Sequence, residues 1–331
     1  MTRRTPTARG TAGSAVRGTH AATGSRDTVR AWAELLRLPA LFTVPGDALA
    51  GAAAVAARPS SRTLLAIGAS LCLYEAGMAL NDWADRDEDA AERPHRPLPS
   101  GRIRPTAALT AACVGTVAGL ALAHRAGRPA LTVAAPLAAT VWAYDLGLKH
   151  TPAGPAAMAA ARGLDLLLGA EATTGRIRPA LRPAALLSGH TLAVTTVSRH
   201  ETHGGSTLAP LTALATTGAV TSRLLTHRHA GAATASAPAT RTARPRTRPT
   251  AKDALRAALV AVYATTAARG YAHAALNPSP PLTQRAVGGG IRATIPLQAA
   301  LSARSGTPVT ALLTAALAPI AATFAKKVSV T

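Results

Sequence analysis

Three aspartates, Asp82, Asp85 and Asp89, follow one another at intervals of three and four residues, with Asn81 just before them, in the run NDWADRDEDAAERPHRPLPSGR (81–102). On an α-helix that spacing stacks side chains on one face, so a helix prolonged past Asn81 carries the three carboxylates as a row. Like charges so placed repel, and the carbonyl end of a helix adds partial negative charge of its own. A cation is therefore called for. Oxygen ligands with no His or Cys in the row suit a hard ion, and Mg²⁺ binds through one or two carboxylates, waters and substrate phosphates. Asp87 and Glu88 fall off this face and are placed to pair with Arg86 or Arg93. A solvated acidic helix end, neutralised by neighbouring arginines, is the plain alternative for any such run.

The elements that position these residues are nearly free of charge. Pro105 to Ala123, Gly204 to Ser222 and Ser305 to Ala325 contain no Asp, Glu, Lys or Arg. Each is close to the roughly 20 residues that a helix rising 1.5 Å per residue needs to cross the hydrocarbon core, whereas a soluble helix of that length carries a charged outer face. Apolar segments recur at Leu38–Ala57, Thr63–Asn81, Thr106–His124, Pro129–Leu148, Pro155–Ala172, Pro183–Ser198, Ser206–Leu225, Asp253–Leu276, Leu282–Ala303 and Gly306–Ala325. Arg285 and Arg292 interrupt the penultimate one, so the count is nine or ten. Ala, Gly and Thr dominate, as suits helices packed closely in lipid. With no sustained period-two alternation, the expectation is an all-α membrane bundle.

The chain has 331 residues, is 48% hydrophobic with only 3% aromatics, and carries a formal charge of +21. Its arginines gather at Thr2–Arg30, Arg86–Arg104 and Arg241–Lys252 without interleaved aromatics to stack bases, so nucleic acid is set below membrane topology as the reason for the charge. Residues 1–30 are read as a disordered basic tail without a signal peptide. The membrane domain spans 31–326, with a flexible basic linker at 229–250. Cys72 and Cys113 lie in apolar segments and suggest neither a zinc site nor a disulfide. A cytoplasmic tail places the Asp82 connector in the cytoplasm, probing an inner-membrane topology with a cytoplasm-facing site. Simple alternation then puts the basic linker after the seventh segment outside, against the usual charge rule.

The order N-D-x-x-D-x-x-x-D followed by R-P-x-R-P-L-P-S-G closely resembles the signature of the UbiA superfamily of intramembrane prenyltransferases. Asn81, Asp82, Asp85, Asp89, Arg93, Pro94, Arg96, Pro97, Leu98, Pro99, Ser100 and Gly101 carry the likeness, and YDLGLK (Tyr144–Lys149) resembles a second family element. The resemblance implies a polytopic bundle of about nine transmembrane helices around a central cavity. It implies an isoprenyl diphosphate bound through Mg²⁺, and an allylic cation captured by a lipophilic, often aromatic, acceptor. By the same resemblance Asp82, Asp85 and Asp89 hold metal, Asn81 joins them on the diphosphate, and Lys149 and loop arginines such as Arg96 stabilise the leaving charge. Tyr144 either contacts diphosphate or anchors at the interface.

The family's second aspartate-rich motif falls where this chain reads TVSRHETHGGS (196–206), with Glu201 as its carboxylate. Three readings stand open: Glu201 serves a second metal, Arg199 with His200 and His203 binds diphosphate directly, or the reaction has changed. The histidines fit an interfacial role equally well. Asp47, Glu75 and Asp165 lie within apolar segments, where carboxylates face a cavity or a partner. Asp165 is a candidate substrate-binding residue, with a plain Arg162 to Asp165 pair at helical spacing as the alternative, and Glu75 either senses the acceptor or cation or, the reading preferred, is a neutral, hydrogen-bonded structural group. A terpene cyclase of the same fold, a non-catalytic isoprenoid-lipid binder and a soluble isoprenoid synthase are the alternatives to a prenyltransferase.

Overall fold

The computed structural model describes residues 27–202, 204–226 and 250–329. His203, most of the basic linker and tail residues 1–26 lie outside the described residues. The tail's last four residues, 27–30, are helical: they open helix α1 (27–35), whose Ala31 and Leu35 are buried. Apolar burial at those two positions, together with an Arg102 to Glu34 ion pair of 2.7 Å, fastens this helix to the bundle.

A helix then forms on each of the ten apolar segments. A 3₁₀ turn, Leu38–Thr43, leads into α2 (Val44–Ala54), kept short because Pro39 and Pro45 are tolerated only in a first helical turn. Next come α3 (Ser61–Ala84), the short α4 (Arg86–Glu92), α5 (Pro105–Ala126) and α6 (Arg128–Leu146). After these follow α7 (Gly154–Thr174), α8 (Leu181–Ser198), α9 (Leu208–Leu225), α10 (Ala251–Leu276), α11 (Pro280–Arg304) and α12 (Pro308–Ser329). Among the described residues there is no strand. Among the described residues, α3 and α5 are the two helices long and apolar enough, by length and composition, to cross a bilayer. The others carry polar residues that the bundle interior accommodates.

Short connections make neighbours antiparallel. Helix α7 is central, packing against α2, α3, α6 and α8, while α10 pairs with α9 and α11. Small residues set the spacing. A Cβ added at Gly51 of α2 would collide with the Leu166 carbonyl and the Ala170 amide of α7, and one at Gly169 would strike the backbone of Ala48. Such close approach maximises dispersion contact where lipid supplies no hydrophobic drive between helices. Outward-facing Leu64, Val114, Val117, Leu211, Leu312 and Leu313 remain exposed, a surface suited to acyl chains and not to water.

Candidate active site

The aspartate row is not one helical stripe. Helix α3 continues only three residues beyond Asn81, and Asp85 is a hinge at φ −89°, ψ 5° from which α4 departs. The break divides the carboxylates between two partners. Asp82, 4% exposed, accepts from Arg37 at 3.2 Å and lies 3.8 Å from Arg96. Asp89, 3% exposed, receives Arg96 at 2.6 Å and Arg93 at 3.4 Å. One guanidinium, Arg96, thus clamps Asp82 to Asp89 across the hinge. Asp85 turns the other way, into an ion pair with Lys149, with His150 3.8 Å distant. Like-charge repulsion along a continuous row is relieved by this separation, Asp82 and Asp89 sharing Arg96 while Asp85 takes Lys149.

The loop after α4 holds Arg96 in place. Pro94, Pro97 and Pro99 cannot continue the helix, and Gly101 at φ 73° takes a left-handed turn that a side chain would strain. Ile103 donates its amide to Pro97, and Leu98 and Ile103 are buried beneath the loop. Lys149 sits in a single 3₁₀ turn, Leu148–His150, against which α7 begins. A Cβ at Gly154 would lie 3.0 Å from the Leu148 and Lys149 carbonyls, so glycine there lets α7 close onto the turn. Arg199 reinforces it from α8, donating to the Thr151 carbonyl at 2.6 Å.

Beneath the carboxylates opens a cavity of about 570 Å³ between α3, α6, α7, α8 and α11. Its mouth is formed by Asn81, Tyr144, Asp145, Arg37, Ser198 and Glu201; apolar Leu73, Met78, Leu137, Val141, Met158, Val194 and Ile291 line its walls. Farther in, Ser70, Arg162, Asp165 and His190 make part of the lining polar. Glu201 is half-buried, and that burial raises its carboxyl pKa. The expected Arg162 to Asp165 pair does not form. Arg162 instead reaches Asp47 at 2.7 Å and Thr43 at 3.0 Å, because α2 lies directly across from α7. Asp165 accepts from Ser70. Glu75 is also corrected: both carboxyl oxygens are buried without a hydrogen-bond partner among the described residues, and it does not line the cavity.

Several residues join the site that sequence reasoning did not single out. Asp145 takes the Asn81 amide at 3.1 Å and is 4% exposed; its one signal in the sequence is a carboxylate beside Tyr144 in YDLGLK. Arg37 adopts a left-handed conformation, φ 47°, unusual for a residue with a side chain and informative at a cavity mouth. Its only signal was a base preceding the first apolar segment. Glu88, expected to pair with an arginine, instead lies with Asp85 and His150, one ligand atom from each falling within 4.8 Å of the others. The two carboxylates are oxygen donors of the kind a hard divalent cation takes, the imidazole is not, and Lys149 already neutralises Asp85.

The chain belongs to the UbiA prenyltransferase family, whose model matches residues 41–240. It is accordingly an integral membrane protein. It is similar to digeranylgeranylglyceryl phosphate synthase of Methanopyrus kandleri, 34% identical over 129 residues that make up 38% of this chain and 46% of the relative. The enzyme of that name from Natronomonas pharaonis is 30% identical over 169 residues, 50% of this chain and 61% of the relative. The chain thus spans about half the length of the curated relatives it matches. Among solved structures, a UbiA homolog from Archaeoglobus fulgidus bound to GPP and Mg²⁺ aligns with a TM-score of 0.55 at 14% identity, covering 84% of this chain and 99% of that one. A UbiA homolog from Aeropyrum pernix K1 aligns with a TM-score of 0.53 at 20% identity, covering 76% and 96%. At these identities the likeness establishes the fold.

Proposed function

We propose that this protein is a Mg²⁺-dependent intramembrane prenyltransferase that moves an isoprenyl group from its diphosphate to a lipophilic acceptor. The observation that supports this reading is the large, mainly apolar cavity with Asn81, Tyr144, Asp145 and Glu201 at its mouth, Asp82 following Asn81 directly and Asp85 paired with Lys149. Asp85 with Glu88, and Asp82 with Asp89, are the oxygen donors that would hold metal, which when bound neutralises charge on the departing diphosphate. Lys149 and Arg96 lie where they can add fixed positive charge to the same oxygens. Asn81, oriented by Asp145, and Tyr144 line the route between diphosphate and cavity, while Arg199 acts through the Thr151 turn that carries Lys149. Glu201, also at the mouth, is a further carboxylate for a second cation. Asp165 lies deeper, where it would meet the hydrocarbon or the acceptor.

In the reaction the allylic carbon to oxygen bond breaks and diphosphate departs with the electron pair. The acceptor oxygen or carbon then bonds to the allylic carbon and loses a proton. Apolar walls shield the cation from water. The product named for the archaeal relatives is a glyceryl phosphate, which favours an alcohol of a phosphorylated glycerol lipid over an aromatic acceptor. The site end is assigned to the cytoplasmic side of the cell membrane, as the arginines of the tail and of residues 86–104 favour.

Purified protein with Mg²⁺ and labelled geranylgeranyl diphosphate should release diphosphate and alkylate a glycerol phosphate acceptor. Asp85→Ala should lower turnover at least about a hundredfold, a scale typical of losing one electrostatic stabiliser. Undiminished turnover in that variant would remove the assignment, and a cyclised product formed without acceptor would move it to terpene cyclisation.

A further inference from the structure

The cavity beneath the carboxylates has apolar walls and a polar floor. Ser70 of α3, Asp165 of α7 and His190 of α8 line its inner end, flanked by Arg162 and Thr43. These groups are tied to one another and to residues behind them. Ser70 donates to Asp165, whose carboxyl also shares a hydrogen bond with Asp47 of α2. Asp47 in turn holds Arg162 and Gln298 of α11; neither Asp47 nor Gln298 lines the cavity, and both are fully buried in a second row. His190 donates from Nε2 to the Gly290 carbonyl of α11 at 3.0 Å and accepts the Tyr263 hydroxyl of α10 at Nδ1 at 3.3 Å, so both ring nitrogens are engaged. Helices α2, α3, α7, α8, α10 and α11 are thus laced together across the base. A hydrocarbon tail pushing farther would have to break buried hydrogen bonds and a buried ion pair, and that loss exceeds what another methylene or two gains by burial.

We propose that the Ser70, Asp165 and His190 floor sets the length of the donor, admitting chains of up to about four isoprene units. This rests on the prenyltransferase reading for what enters the cavity. Helix rise gives the depth: along α3, Ser70 lies about 16 Å below Asn81 and about 22 Å below Asp85. An extended carbon chain covers about 1.2 Å per bond, so the four main-chain bonds of an isoprene unit span about 5 Å. With the allylic carbon held between the levels of Asp85 and Asn81, a geranylgeranyl tail reaches the floor and a longer one meets it. Ala161 lines the cavity one helical turn above Asp165, and its small side chain leaves the last unit its room. A larger side chain there leans towards the start of α7, hence towards the mouth, and raises the floor by about one unit.

Binding is measured apart from turnover. The full chain in detergent with Mg²⁺ is loaded with radiolabelled farnesyl thiolodiphosphate, which resists ionisation, and displaced by the geranyl, farnesyl, geranylgeranyl, hexaprenyl and nonaprenyl analogues. Affinity should be at least about tenfold tighter for geranylgeranyl than for geranyl, from the added apolar burial, and at least about tenfold weaker again for hexaprenyl. In Ala161→Phe the optimum should move to farnesyl while geranyl binding is retained. Should that variant not fold, Ala161→Leu should show the same shift by a smaller factor. Hexaprenyl and nonaprenyl analogues binding as tightly as geranylgeranyl would mean that the tail leaves sideways between helices, which overturns the proposal; so would a geranylgeranyl optimum that the Ala161 variants leave in place. Geranylgeranyl binding without diphosphate release from the natural diphosphate sinks the transferase reading and leaves the length limit standing. Equal turnover of every length sinks the length limit alone, and no binding of any analogue sinks both.

Discussion

Glu201 stands where a pair of aspartates would complete a second metal motif, and its carboxyl is raised in pKa by burial. The raised value means that the native protein favours the protonated acid relative to the unfolded chain. Ionised Glu201 therefore costs stability above its folded pKa, and this cost vanishes below the unfolded value. Without Mg²⁺ or diphosphate, Glu201→Gln should raise the thermal midpoint at pH 8, with the gain shrinking as pH falls towards 4.5. A gain that persists unchanged at low pH would assign the effect to packing. Excess Mg²⁺ together with diphosphate should reverse the order at pH 8, because a bound cation rewards the charge that burial penalises. Spacing alone marks Asp85 as a candidate ligand, whereas Lys149 is singled out only through family likeness, and packing pairs the two. Neither Arg37 nor Asp145 declared itself, since nothing in linear order shows that residues 37, 82 and 145 share one rim.

At the scale of elements, buried polar contacts tie together helices that are distant in sequence. Arg162 of α7 joins Asp47 and Thr43, and Gln298 of α11 donates to Asp47 at 2.6 Å and to the Thr43 carbonyl at 2.8 Å. Asp47 is fully buried, so removing its guanidinium partner leaves a carboxylate answered only by the Gln298 amide and the neighbouring Asp165 carboxyl. Arg162→Leu should lower stability by about 3 kcal/mol in detergent, read as a shift of the unfolding midpoint. Adding Asp47→Leu should recover much of that loss, because two apolar side chains can replace a buried pair at little cost. Equal losses in the single and double variants would show that the pair is not what holds α2 against α7. Helix positions themselves were legible, since all ten apolar segments carry a helix. Their partners were not. A helix-period argument sees a residue four positions away, and so paired Arg162 with Asp165 instead of with a helix more than a hundred residues earlier.

For the whole molecule, alternating short connections put the carboxylates at one end and Arg176, Arg178 and Arg182, between α7 and the start of α8, at the other. Both ends are basic, which is why charge counting alone left the linker after the seventh segment in conflict with its neighbours. The proposed orientation is testable in intact cells. A cysteine introduced at Ser100 of the exposed loop beside the site should resist a membrane-impermeant maleimide, and one at Arg176, at the far end, should react. The reverse pattern would invert the molecule in its membrane.

Sequence by itself determined that the chain is a helical membrane protein, because runs without charge of this length have few other stable states, and it determined which carboxylates could meet a hard cation. The tertiary structure decided the rest. It broke the aspartate row at Asp85, sent Asp82 and Asp89 to one arginine and Asp85 to Lys149, and set them over a hollow whose walls come from five helices. Mutual repulsion is a local property that spacing reveals, but relief of that repulsion depends on cations brought by other segments, and only packing brings them.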